Sequence, residues 1–297
     1  MELQQLRYFV AVAKYSNFTR AAEASLVSQP SLSQQIIKLE KELGRPLFER
    51  LGRTARLTDA GRTFLDHAEQ VLRLVDDAKA RVTDSAESGR LVVGAIPTIA
   101  PYLLPRLLDD FRRECAGARI EVVEETTRNA LELCVRGEVD LLLLALPVSV
   151  EHLHAEPLFE EELHLVLPKK HPLAAKSRIT AADIDEEPLL LLNETHCLSE
   201  NALSFCRRKS LQPLVTSRVS QLATLQELVS LGQGLSFVPE MAKRLDGAKS
   251  RTYRSLAGDK PMRTIGVAWH EFRYRTKLFR RFVEWLRPWA KEFAEVD

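Results

Sequence analysis

Phe18-Thr19-Arg20-Ala21-Ala22-Glu23, followed by Val27-Ser28-Gln29-Pro30-Ser31-Leu32-Ser33-Gln34-Gln35-Ile36-Ile37, is the stretch on which the fold turns. Thr19 can cap a short helix whose Ala21, Ala22 and Ala24 are small enough for another helix to cross closely. Ser28 can cap the next helix, with Pro30 in its opening turn, and Gly44 and Pro46 stop it. Its apolar stripe is Leu32, Ile36, Leu39 and Leu43, which leaves Gln29, Ser31, Ser33, Gln34, Gln35 and Lys38 outward. Such a pair reads as a helix-turn-helix from Phe18 to Ile37. Gln and Ser on an acid-poor face can donate to and accept from base edges in the major groove. A merely solvated face is the alternative, and local charge weighs against it. Residues 1–58 hold nine Lys and Arg against five acids, whereas the whole chain of 297 residues carries a net charge of +1.

Upstream, Leu3, Leu6, Phe9, Val10 and Ala13 recur at helical spacing. Downstream, Arg50, Arg53 and Arg56 lie in a turn-rich stretch, residues 48–57, that could form a wing touching phosphates or the minor groove. Thr58 can cap a long helix in which Phe64, Ala68, Val71, Val75, Ala78 and Val82 repeat at alternating steps of four and three. A helix of that pattern either lies on its own domain or pairs with a second copy. Pairing is the better reading, because one helix-turn-helix reads a short half-site and dimers read two. Glu87-Ser88-Gly89 ends the helix and makes a boundary.

With 45% hydrophobic and 28% charged residues, the chain has the composition of a globular protein of about two or three domains. No basic segment followed by a long apolar run opens it, and no stretch reaches the roughly 18 apolar residues that span a bilayer. A cytoplasmic protein without membrane contact is expected, in a compartment where a disulfide is more often transient than structural.

From residue 91 short apolar runs alternate with helical patterns, which indicates α/β architecture. Strands are expected at 91–96, 120–123, 139–146, 163–167, 189–192, 235–239 and 264–270. Helices are expected at 102–113, 129–136, 222–231 and 277–294. The grouping implies two lobes, and a cleft between lobes is the default place for a small ligand.

Within the second group lies Asn193-Glu194-Thr195-His196-Cys197-Leu198-Ser199-Glu200-Asn201-Ala202-Leu203-Ser204-Phe205-Cys206-Arg207-Arg208-Lys209-Ser210. His196 adjoins one cysteine and three basic residues follow the other, so positive charge or donors could stabilise a thiolate at either sulfur. The apolar spacing between them reads as a short amphipathic helix. Nine helical steps separate Cα atoms by roughly 13 to 14 Å, whereas a disulfide needs less than about 7 Å. If the segment is helical when reduced, joining these two sulfurs must unwind it. Two packing residues and a zinc ligand pair remain open as other readings, the second disfavoured because His196 and Cys197 are adjacent and the other thiol is distant. Cys115 and Cys134 fall in helical, partly apolar patterns and read as packing residues.

The stretch 18–33 together with Leu39-Glu40-Lys41-Glu42-Leu43-Gly44-Arg45-Pro46-Leu47-Phe48-Glu49-Arg50 and Leu57-Thr58-Asp59-Ala60-Gly61 resembles the winged helix-turn-helix of LysR-type transcriptional regulators. The resemblance implies an α+β chain. Residues 1–58 would be the DNA-binding domain, 59–88 a dimerising linker helix, and 89–297 a bilobed α/β effector domain like the periplasmic binding proteins, its second lobe at about 162–265. Gln29, Ser33 and Gln34 would then approach bases and Arg53 would serve the wing.

Ile96-Pro97-Thr98, Pro101-Tyr102-Leu103-Leu104-Pro105, His196-Cys197, Cys206 and Arg263-Thr264-Ile265-Gly266 resemble the peroxide-sensing, OxyR-like branch of that family. By this resemblance Cys197 is the peroxidatic and Cys206 the resolving cysteine, and Thr98, Thr127, His196 and Arg263 hold hydrogen peroxide. Taken singly, Thr98 or His196 could instead cap a helix, Thr127 serve a turn and Arg263 pair with a surface acid. Thr195 and Ser199 stand where that branch often carries Gly and a basic residue.

The resemblance implies a redox-controlled regulator, not an enzyme, without metal or cofactor. Its partners would be promoter DNA, hydrogen peroxide, RNA polymerase, a thiol reductant of the glutaredoxin or thioredoxin kind, and further copies of itself up to a homotetramer. The alternatives are a LysR-type sensor of a small metabolite with inert cysteines, a thiol peroxidase, and an exported solute-binding protein.

Overall fold

The computed structural model describes residues 1–51, 54–82, 88–193 and 197–295. They fall into two compact units divided at Thr83/Asp84. The first comprises α1 (Leu3–Tyr15), α2 (Phe18–Ala24), α3 (Gln29–Leu43), β1 (Phe48–Leu51), β2 (Thr54–Leu57) and α4 (Asp59–Val82).

Phe9, Leu32, Ile36 and Leu39 are fully buried at its centre, with Ala21 and Ala22 beneath them. The Phe9 ring meets Phe48 and Phe64 at 5.2 and 5.1 Å. Ser28 caps α3 through an acceptor bond to the Ser31 N–H, and Gly44 closes it at φ +69°. Asn17, not Thr19, caps α2: its Oδ1 accepts from the N–H groups of Thr19 and Arg20 at 2.8 and 3.0 Å. Thr19 sits in the first turn, where its own N–H is one of the orphans being satisfied. β1 and β2 form an antiparallel hairpin pinned by Glu40, whose Oε1 accepts from the N–H groups of Leu47 and Phe48. Thr58 Oγ1 accepts from Gly61 N at 3.0 Å and caps α4. Phe64, Leu65, Ala68 and Leu72 of α4 pack on this core, whereas Leu74 and Val82 stand exposed. Of the expected seam, Phe64 and Ala68 thus pack on the helix's own unit, whereas Val71 and Val82 are exposed.

The second unit begins β3 (Ser88–Ala95), α5 (Ala100–Glu114), β4 (Gly117–Glu124), α6 (Thr127–Arg136), β5 (Leu141–Leu146) and β6 (Leu153–Pro168). It continues with β7 (Pro188–Leu192), α7 (Cys197–Arg208), β8 (Leu214–Val219), α8 (Leu222–Ser230) and β9 (Ser236–Pro239), then α9 (Glu240–Arg244), β10 (Arg251–Arg254), β11 (Met262–His270) and α10 (Lys277–Glu295). β3 pairs in parallel with β4 and β5, and β11 lies antiparallel between β5 and β6.

β6 is the spine. Leu153 to Glu162 pair with β11, and from Leu163 to Pro168 the same strand pairs with β9 and β10. One core gathers β3, β5, α5 and α10, with Phe111, Leu143, Ile265 and Phe282 fully buried; the other runs from Leu163 to Leu256 and includes Phe205 and Phe237. Where β11 bulges between Ile265 and Gly266, a Cβ on Gly266 would strike Leu146 Cδ1 and lie 2.7 Å from the Glu156 carbonyl oxygen, so only glycine fits. Among the described residues no helix is long and apolar enough to cross a membrane.

Candidate functional site

α7 starts at Cys197, as the apolar spacing predicts, and carries Cys206 nine residues on. Glu194, Thr195 and His196, and with them the role expected of His196, lie outside the described residues. Ser199 is buried and its Oγ donates to the Leu192 carbonyl at 2.7 Å, tying the first turn of α7 to the end of β7. It therefore serves as an anchor where the related branch often has a charge.

Leu198, Ala202, Phe205 and Cys206 face the core of the second lobe, and the Phe205 ring stands 5.9 Å from that of Phe237. Cys197 is half-buried and packs instead against the core of the first lobe. The two sulfurs thus belong to different cores. All four cysteines are free thiols.

The expected stabilisation of a Cys206 thiolate by its basic followers is not found. Arg207 is engaged by Glu200 and Ser204, and Lys209 by Asp259. Burial dominates and pushes the Cys206 thiol up, with Arg207 only partly opposing it. Cys134, fully buried, is pushed up to about 12, as suits a packing residue.

Arg263 and Thr98, far apart in sequence, meet. Arg263 sits on β11 directly across from Glu161 on β6, its side chain fully buried. Its Nε donates to Glu161 Oε1 at 2.7 Å, Nη1 to Thr98 Oγ1 at 2.9 Å and Nη2 to the Thr98 carbonyl at 3.1 Å. The other oxygen of Glu161 accepts from the Met241 N–H at 3.1 Å. Arg263 therefore pairs with an acid, but a buried one. Thr98 precedes the helix cap, which is Ile99, so it is not the capping residue. Thr127 opens α6, and its buried Oγ1 has no hydrogen-bond partner among the described residues.

Sequence reasoning missed Glu161. It lies in Glu160-Glu161-Glu162, a run that looks solvated until the strand register is known. Only the middle carboxylate turns toward Arg263.

In the first unit Gln29, Ser31, Gln34 and Lys38 are exposed on α3. Ser33 is a correction: it is 8% exposed, one step along the helix from Leu32 and one turn before Ile36, so the apolar stripe carries it inside. Gln35 is half-buried and accepts a hydrogen bond from Gln5 Nε2 at 3.2 Å. Arg53 lies outside the described residues.

Residues 3–62 match the bacterial regulatory helix-turn-helix profile of the lysR family, and residues 84–291 match the LysR substrate binding domain. A probable hydrogen peroxide-inducible genes activator of Mycobacterium avium is 36% identical over 280 residues, 93% of this chain and 90% of that protein. The structure of a cysteine-to-aspartate variant of full-length OxyR from Pseudomonas aeruginosa aligns with a TM-score of 0.78 at 30% identity, covering 99% of this chain and 96% of that one. A cysteine-to-serine variant of Corynebacterium glutamicum OxyR, solved with hydrogen peroxide bound, aligns with a TM-score of 0.67 at 30% identity, over 99% and 93% of the two chains.

Proposed function

The chain belongs to the LysR family of bacterial regulatory helix-turn-helix proteins, and on that premise we propose that it is a redox-sensing transcriptional regulator that answers hydrogen peroxide. The observation that carries this reading is the seating of Cys197 and Cys206 at opposite ends of one helix and against different cores. The likeness to peroxide-responsive relatives supports it.

The Cys197 thiolate attacks one peroxide oxygen. A sulfur–oxygen bond forms, the O–O bond breaks, and the departing hydroxide takes a proton to become water. Cys206 then condenses with the sulfenic acid, releasing a second water and leaving a disulfide. The order is dictated by burial: Cys206 is a protonated, enclosed thiol until α7 opens. A dithiol reductant of the glutaredoxin or thioredoxin kind returns both sulfurs to thiols by exchange. Thr98, Thr127, His196 and Arg263 form the peroxide pocket in this reading.

Residues 1–58 bind promoter DNA, with Gln29 and Gln34 toward the bases and Arg53 on the wing. Residues 59–88 pair two subunits, and 89–297 form the effector domain, the second lobe at about 162–265. The exposed Leu74 and Val82 of α4 favour such pairing. Dimers would associate into tetramers and engage RNA polymerase according to the redox state.

Differential thiol alkylation and mass spectrometry of the reduced protein, before and after stoichiometric peroxide, test the core of this. A Cys197 to Cys206 cross-link that forms within seconds and disappears with reductant is expected. Both thiols still free, with Cys197 no faster than Cys115, would instead mean a metabolite sensor with inert cysteines.

A further inference from the structure

Thr98 Oγ1 receives an N–H from Arg263 and is itself buried. A guanidinium has no lone pair to return, so the Thr98 O–H must be donated elsewhere. Among the described residues no acceptor takes it. A hydroxyl whose oxygen is held by a cation and whose proton is unspent is a directed donor, strengthened by the bond it receives.

What fixes this polarity is Glu161. It stands opposite Arg263 in the strand register and holds Nε at 2.7 Å, and it is itself held by the Met241 N–H from α9. Without that carboxylate a fully buried guanidinium would be uncompensated, and its fork would no longer be locked on Thr98.

We propose that Glu161 is the positioning residue of the peroxide pocket: by clamping Arg263 onto Thr98 it leaves the Thr98 hydroxyl as donor to the leaving oxygen of hydrogen peroxide. This rests on the peroxide reading given above. Glu161 touches no reactant and acts through Arg263. In the step it supports, the Cys197 sulfur supplies the electron pair for the new S–O bond. The O–O pair leaves with the distal oxygen as hydroxide, which Thr98 steadies by its hydrogen bond until it takes up from solvent a proton equivalent to the one the Cys197 thiol gave up on ionising.

The test compares two reagents at Cys197 in the Cys206→Ser background. Hydrogen peroxide has a leaving oxygen for Thr98 to serve, whereas iodoacetamide needs only the thiolate. Glu161→Ala is expected to slow sulfenic acid formation by about a hundredfold to a thousandfold, the range for losing one aimed donor, with the iodoacetamide rate unchanged. Glu161→Gln keeps one acceptor for the Arg263 Nε–H but loses the charge and sets its NH2 against the Met241 N–H, so it should fall between the parent and Glu161→Ala. Thr98→Val should slow the peroxide reaction like Glu161→Ala, and the double variant no further than Thr98→Val alone.

If Glu161→Ala does not fold, Glu161→Asp replaces it under the same criteria, being one methylene too short to reach both Arg263 and Met241. Equal losses with both reagents, or additive losses in the double variant, would overturn the proposal while leaving the peroxide reading intact. A parent Cys197 that prefers iodoacetamide and ignores peroxide would overturn both.

Discussion

Asp246 shows how a single carboxylate can be held charged in an interior. Burial alone would raise its pKa, but hydrogen bonds from Arg251 and the Tyr253 hydroxyl outweigh that and keep it below the ordinary carboxylate value. Arg251 donates through Nε at 2.6 Å and Nη2 at 2.8 Å. Burial, reinforced by Asp246, pushes Tyr253 up to about 12. Because the folded-state pKa of Asp246 is depressed, its stabilisation is present above the unfolded carboxylate value of about 4 and is lost as pH falls through the lower folded value. Asp246→Asn should therefore lower the stability by roughly 2–3 kcal/mol at neutral pH, since Glu227 still faces Arg251 at 2.9 Å. The gap between variant and parent should narrow in acid, as thermal melts across pH would read. A gap that widened in acid would contradict the assignment. Legibility at this scale follows the range of the interaction. The Ser28 and Gly44 caps could be read locally, and the Ser33 error came from extending an outward face one position too far around the helix. The Arg263 partner could not be read, because Glu161 is 102 residues away and distinguished from Glu160 and Glu162 only by strand register.

Helices were legible as elements because a 3.6-residue period is written within each one; α7, α8 and α10 stand close to where their apolar spacing puts them. The strands at 163–167, 189–192 and 264–270 were legible for a different reason, being rich in apolar residues. The missed strands, the first ten residues of β6 and the whole of β8 and β10, are rich in charged or small residues and owe their extended form to neighbours supplied by distant chain. α7 belongs to the legible group, and its definition in the reduced state sharpens a prediction. Its 12 residues include Phe205 and Leu198, both buried. An ideal helix keeps its ends too far apart for a disulfide by about 6 Å or more. Oxidation should therefore reduce far-UV helical signal by most of this one helix and expose Phe205. Near-UV spectra and protease cleavage between Cys197 and Cys206 should change together, and both should revert with reductant. A cross-linked protein whose helical content and cleavage pattern matched the reduced form would mean that the disulfide forms in some other geometry.

At the scale of the whole molecule, the near-neutral net charge of +1 conceals a division of labour. Residues 1–58 carry four more basic than acidic residues, so the rest of the chain is acidic by three. Long-range attraction to DNA then belongs to the first unit, and an acidic remainder limits indiscriminate binding. Affinity for an operator should fall steeply with salt, each phosphate neutralised adding about 0.9 to the slope of log affinity against log salt. Gln29 and Lys38 are both exposed on α3, and in the reading proposed above Gln29 meets base edges while Lys38 would contribute through phosphate. Lys38→Ala should weaken binding to specific and random DNA alike and lower the slope by about 1 per bound subunit. Gln29→Ala should leave the slope unchanged while costing about 1–3 kcal/mol on the specific site only. The two variants together separate attraction from reading. If Gln29→Ala weakened random DNA as much as the operator, α3 would be a phosphate-binding helix, and the sequence preference would have to reside in the wing.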